Sequence, residues 1–81
     1  MNLKKQEKEE RIKLQKQFGV HLRKIRENKK ITPSELSRRC YMERSNIARL
    51  EGGRSNPSLF VLKKLCVGLG IELKDLFEDF N

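Results

Sequence analysis

Apolar residues recur at helical spacing in five separate stretches of the chain. Leu14, Phe18, Leu22 and Ile25 lie three and four positions apart and predict one buried helix face over about Lys16 to Asn28. Leu36 and Cys40 make an i, i+4 pair, and Ile47 and Leu50 an i, i+3 pair. Leu59, Leu62, Leu65, Cys66 and Leu69 predict an inward stripe on a fourth helix, capped by Ser58 and closed by Gly70. Leu73, Leu76 and Phe77 predict a short fifth helix, roughly Leu73 to Asp79, packed on the same core. Before Ile12 no stripe forms, and Leu3 stands alone among charges. Residues 1–15 are mostly Lys, Glu, Gln and Arg, all good helix formers, with favourable Glu7–Arg11 and Glu9–Lys13 spacings worth a few tenths of a kcal/mol each. They are expected to be a fraying helical extension or a flexible arm, ahead of a single all-α domain over residues 16–81.

The stretch Thr32 to Gly53 carries the clearest local signals. Thr32 is a good N-cap, Pro33 suits the first helical position, and Glu35 completes a capping-box spacing in which hydroxyl and carboxylate each satisfy a backbone N–H. Ile31, just before the cap, suits a hydrophobic staple. A second short helix opens near Glu43 or Arg44 and stops at Gly52-Gly53. On it, Ile47 and Leu50 share one face; Arg44, Ser45, Ala48 and Arg49 fall on roughly the opposite one. That outward face is small, polar and cationic, as a helix entering the major groove of a duplex requires.

Charge strengthens this reading. The net charge is +8, and residues 1–30 alone hold 11 basic and 4 acidic side chains. A basic surface of this kind implies an anionic partner on the N-terminal and central face. No apolar run approaches the roughly 20 residues of a membrane span, and the N-terminus lacks a leader-like apolar segment. A cytoplasmic protein is therefore expected. Cys40 and Cys66 have no short-spaced ligand pair beside them, so no metal or other cofactor is implied; buried, reduced thiols are expected. His21 is expected at the surface. One histidine without a nucleophile–base set offers nothing from which to assemble an enzyme site.

Arg26, Thr32-Pro33-Ser34-Glu35-Leu36, Ile47, Leu50-Glu51, Gly53, Asn56-Pro57-Ser58 and Leu69-Gly70-Ile71 together resemble the Cro and phage-repressor type of helix-turn-helix domain, the xenobiotic-response-element family, over about Phe18 to Phe77. The resemblance implies a compact five-helix, lambda-repressor-like fold whose third helix lies in the major groove of double-stranded DNA. It implies that Arg26 pairs with Glu51 and approaches a phosphate, and that the loop Arg54-Ser55-Asn56 touches phosphates. The pairing has independent support, because Glu51 falls at the edge of the Ile47–Leu50 face, where a partly desolvated carboxylate wants a partner.

The expected function is sequence-specific transcriptional regulation, as a repressor, by a homodimer on a pseudo-palindrome. Arg44 and Arg49 reach base edges, Ser45 reads a neighbouring edge, and Ala48 leaves room for a thymine methyl. Asn46 and the helix N-terminus at Thr32, Pro33 and Ser34 hold phosphates. A basic N-terminal arm on the DNA backbone is a further option, which Glu7, Glu9 and Glu10 argue against. Phe60 and Val67 depart from the family's polar pattern and, with Phe80, are candidates for the dimer contact. Tyr41 also departs, standing where the inter-helix turn usually has glycine; a positive φ there would be strained. The competing expectation is a protein-interaction adaptor or antitoxin that uses the same fold to dock a protein partner.

Overall fold

The computed structural model describes residues 3–80, and every regular element among them is a helix: α1 (Leu3–Asn28), α2 (Pro33–Cys40), α3 (Arg44–Glu51), α4 (Leu59–Leu69) and α5 (Leu73–Leu76). The all-α, five-helix architecture expected from the periodicity is the one observed. α2 packs on α4, α1 packs on α3, and α2 and α3 pack on each other. Phe18, Leu22, Ile31, Leu36, Cys40, Ile47, Leu50, Leu65, Cys66, Leu69 and Leu76 form one buried cluster drawn from all five helices and the α1–α2 turn. Burying a large aliphatic side chain contributes about 1.5–3 kcal/mol. The four fully covered leucines and one isoleucine therefore contribute on the order of 10 kcal/mol. No helix among the described residues is long and apolar enough to cross a membrane.

Of the two forms expected for the N-terminal segment, the structure has the helical extension. From Leu3 it runs without a break into the first core helix, giving α1 26 residues. Strong helix formers extend a helix cheaply once the packed half has nucleated it. Arg23–Glu27 closes as an i, i+4 ion pair, Nε to Oε2 3.5 Å, whereas Glu7–Arg11 and Glu9–Lys13 stay open. Leu14, expected inward, is exposed, because it lies a turn beyond the elements that cover Phe18 and Leu22. Leu59 is likewise exposed, since the first turn of α4 protrudes from the core and helical phase alone does not bury it.

The C-terminal end departs furthest from expectation. α5 covers only Leu73–Leu76 and gives way to turns through Asp79, whose φ is +61°. Phe77 is exposed at its outer edge, yet its ring lies 6.0 Å from Phe18 and 5.7 Å from Phe80. Phe80 also approaches Phe18 at 6.3 Å and His21 at 5.1 Å. His21 is half-buried rather than superficial; its Nε2–H donates to the Leu76 carbonyl at 2.6 Å and ties α1 to α5. Cys40 and Cys66 are free and buried, and burial pushes both thiols up.

Candidate nucleic-acid interface

The helix pair begins at a real cap. Thr32 Oγ1 accepts the Glu35 N–H at 3.1 Å, and Ile31 and Leu36 on either side of the cap are both buried, as a hydrophobic staple requires. The capping box is only half formed, because the Glu35 carboxylate pairs instead with Arg39, Oε1 to Nη2 2.6 Å. Pro33 has no N–H to offer a phosphate, so any contribution it makes there is one of shape.

α2 ends on Tyr41 in the left-handed conformation, φ +56° and ψ +45°. The N–H groups of Tyr41 and Met42 return to the carbonyls of Arg38 (3.3 Å) and Ser37 (2.9 Å), which is how a left-handed helix stop satisfies its last carbonyls. The turn therefore keeps the geometry that glycine usually supplies. It does so with a tyrosine that is 86% exposed, at a cost of about 1–2 kcal/mol in backbone strain. Lys64 Nζ on α4 donates to the Tyr41 carbonyl at 3.1 Å and fastens the turn from outside.

α3 is eight residues long and its N-cap, Glu43, makes no side-chain capping bond. A helix this short is marginal in isolation, so packing holds it. Ile47 and Leu50 are buried against the core, while Arg44, Ser45, Asn46, Ala48 and Arg49 are all exposed. The outward face expected from helical phase is thus the face that solvent reaches. At the other end α1 grips α3 in two places. An added Cβ on Gly19 would stand 2.5 Å from the Glu51 carbonyl oxygen and 2.6 Å from that of Leu50, so the two backbones touch only because residue 19 is glycine. Seven residues further along α1, Arg26 forms a two-pronged pair with Glu51: Nε to Oε2 is 2.7 Å and Nη2 to Oε1 is 3.0 Å.

Arg26 also donates from Nη1 to the Ile31 carbonyl at 2.9 Å, and the residue is only 7% exposed. Its guanidinium thus faces inward, held by a carboxylate and a carbonyl. Its bond to Glu51 pushes its already high pKa further up, against the opposing effect of burial. The ion pair is as expected. The group that forms it is largely covered and braces α3 from behind.

Past α3 the chain turns sharply. The Arg54 N–H returns to the Arg49 carbonyl at 2.9 Å, and Gly53 adopts φ +72°. Arg54 and Asn56 are exposed and Ser55 is half-buried, so the loop lies beside the outward face of α3. Arg49, Asn46, Ser55 and Asn56 line one shallow surface cleft. Phe60 (72% exposed) and Val67 (62%) project from α4 into solvent. Phe80 does not join them; it is half-buried in the aromatic cluster with Phe18, His21 and Phe77. The roles of Gly19 and Lys64 lie beyond the periodicity of the sequence. Gly19 left a trace in the sequence, a glycine within the stripe that buries Phe18 and Leu22, where two helices can approach closely. Among the described residues, no group of three or more His, Cys, Asp or Glu is placed to hold a metal ion.

Comparison with known proteins agrees with this geometry. The profile of the helix-turn-helix domain matches residues 17–79. The control protein C.MunI of Mycoplasma sp is 34% identical over 65 residues, covering 79% of this chain and 88% of that protein. The immunity repressor protein of Bacillus phage phi105 is 34% identical over 55 residues, covering 68% of this chain but only 38% of the repressor. Of the solved structures, the restriction-modification controller protein C.AhdI from Aeromonas hydrophila superposes with a TM-score of 0.73 at 34% identity, over 76% of this chain and 94% of that one. The clp gene regulator ClgR from C. glutamicum gives a TM-score of 0.75 at 29% identity, over 82% and 86%. On its matched sequence, its five helices and the capped pair at their centre, the chain belongs to the helix-turn-helix domain family.

Proposed function

We propose that the chain is a sequence-specific regulator of transcription that binds double-stranded DNA with α3 in the major groove. The observation that carries this reading is the outward face of α3, where Arg44, Ser45, Ala48 and Arg49 stand in solvent on a helix held from behind by Ile47, Leu50 and the Arg26–Glu51 pair. Arg44 and Arg49 take guanine edges, each two-pronged contact discriminating by about 1–3 kcal/mol. Ser45 reads the adjoining edge and Ala48 admits a thymine methyl. Asn46, Ser34, Arg54, Ser55, Asn56 and the backbone at Thr32 hold phosphates on either side. Relatives named as a control protein, an immunity repressor and a gene regulator support repression or control of a nearby gene. Cytoplasmic residence, beside the DNA, is part of the proposal.

The dimer belongs to the same proposal. Phe60 and Val67 give α4 an apolar outer face on which two copies would pair about a two-fold axis. Two α3 helices would then read half-sites about one helical turn, roughly 34–36 Å, apart. That face also favours a second reading, an adaptor or antitoxin in which a different protein covers Phe60 and Val67. Selecting bound duplexes from a random pool tests both. Enrichment of a dyad-symmetric consensus is expected; a pool that never enriches overturns DNA reading, and an asymmetric single half-site overturns the dimer.

A further inference from the structure

We propose that the outlying half of α1 is a second, sequence-independent grip on the duplex, in which Lys4, Lys8 and Arg11 hold backbone phosphates outside the stretch that α3 reads. This rests on the DNA-binding reading above. The family match starts at residue 17, and none of residues 3–16 is buried. Core packing therefore gives no reason for fourteen further residues of helix.

Helical phase supplies one. At about 100° per residue, Lys4, Lys8 and Arg11 fall within roughly 60° of one another, on the face that carries Gln15, Phe18, Leu22 and Arg26 inside the body. Glu9 falls on the far side, and Glu7 lies at the margin. The face of α1 that is apolar where other helices cover it thus turns cationic where α1 runs past them. Of the three glutamates that argue against a basic arm, Glu9 lies away from the Lys8 face, while Glu7 stands beside Lys4, Lys8 and Arg11 and Glu10 shares a cleft with Arg11 and Asn56; the cations outnumber the carboxylates that a phosphate on this face would meet.

Position supplies the second support. Gln15 Nε2 donates to the Gly53 carbonyl at 3.3 Å, and Arg11 lines a cleft together with Asn56 and Pro57. The stripe is therefore continuous with the Arg54–Asn56 loop, the proposed phosphate contact at the end of α3. From Gln15 to Leu3 the helix reaches about 18 Å at about 1.5 Å per residue, half a turn of duplex. Three cations at one-turn spacing, with Glu7 the single carboxylate beside them, match the dense, regular charge of a phosphate backbone.

The test is the triple variant Lys4→Gln, Lys8→Gln, Arg11→Gln, measured on the consensus duplex with long flanks. Its circular dichroism should equal that of the parent, since glutamine keeps the helix. The slope of log affinity against log salt should become shallower by about 2.7, at about 0.9 per phosphate contact. Preference for the consensus over random sequence should be unchanged, and the difference should vanish on a duplex trimmed to the bases α3 reads. Lys74→Gln, an exposed lysine on α5 outside this strip, should leave the slope alone. A slope that changes by less than one contact, about 0.9, while the parent still selects its site, overturns this inference and leaves the DNA reading intact. A parent that binds no duplex selectively overturns both.

Discussion

Removing the Glu51 carboxylate should cost this small fold a large part of its stability. In Glu51→Ala the Arg26 guanidinium stays where it is, about nine-tenths buried, and keeps only its bond to the Ile31 carbonyl. Two prongs at 2.7 and 3.0 Å lose their acceptors. A buried charge left without its partner typically costs about 3–5 kcal/mol. At about 0.05–0.15 kcal/mol per residue, the whole chain is stable by only about 4–12 kcal/mol. The loss is therefore at least a quarter of the total. For a domain of this size, about 4–8 °C of melting temperature follows each kcal/mol, so thermal unfolding by circular dichroism should shift down by at least about 12 °C. The double variant Arg26→Met, Glu51→Leu leaves no orphaned charge and should recover most of that loss. Titration does not confuse the comparison. The folded pKa of Arg26 is raised, so its contribution is complete at every pH below the ordinary arginine value and is lost only at extreme alkalinity. A single variant melting within 2–3 °C (roughly half a kcal/mol) of the parent, or a double variant no better than the single, would refute the idea that this pair holds α3.

Three further outcomes can be checked with the same protein. Tyr41→Gly should stabilise by about 0.5–1 kcal/mol, the left-handed strain relieved less the added freedom of the unfolded chain; a lower urea midpoint would mean that the exposed ring does more than solvate. Arg49→Ala should abolish preference at one base pair, about 1–3 kcal/mol on the consensus, without moving the melting temperature; equal losses on every sequence would refute base readout. The buried thiols make stability fall with alkaline pH. Both folded pKa values are raised, so the unfolded chain ionises first, and stability drops as pH rises through about 8.5. Replacing both cysteines with alanine should flatten that limb between pH 7.5 and 9.5, approximate bounds set by the ordinary thiol value; an identical slope would show that the thiols play no part.

The centre of the molecule could be read from residue types because its rules are local. A hydroxyl before proline with glutamate three on, an apolar pair at i and i+3, and a glycine stop are each decided within one or two turns. The Arg26–Glu51 pair, spanning 25 residues, was reached through the resemblance and through the phase of Glu51. Burial at the edges was not legible. Leu14 and Leu59 have the right phase, but whether anything lies over them depends on where distant elements end. The half-burial of His21 and Phe80 is not legible either, because the turn that brings residues 77–80 back across α1 is non-periodic. Its left-handed Asp79 has no glycine to announce it. The helical extension before residue 16 is legible from propensity alone, which carries α1 well past its last apolar stripe.

Of the eight residues in α3, three (Ile47, Leu50 and Glu51) face inward and keep the fold; the others meet only water. Under the proposed function, address and architecture are written on opposite sides of one short cylinder. Exchanging the side chains at 44, 45, 48 and 49 should redirect the protein to a new target while its melting behaviour stays put. A lineage carrying this scaffold can change what it recognises without having to relearn how to fold.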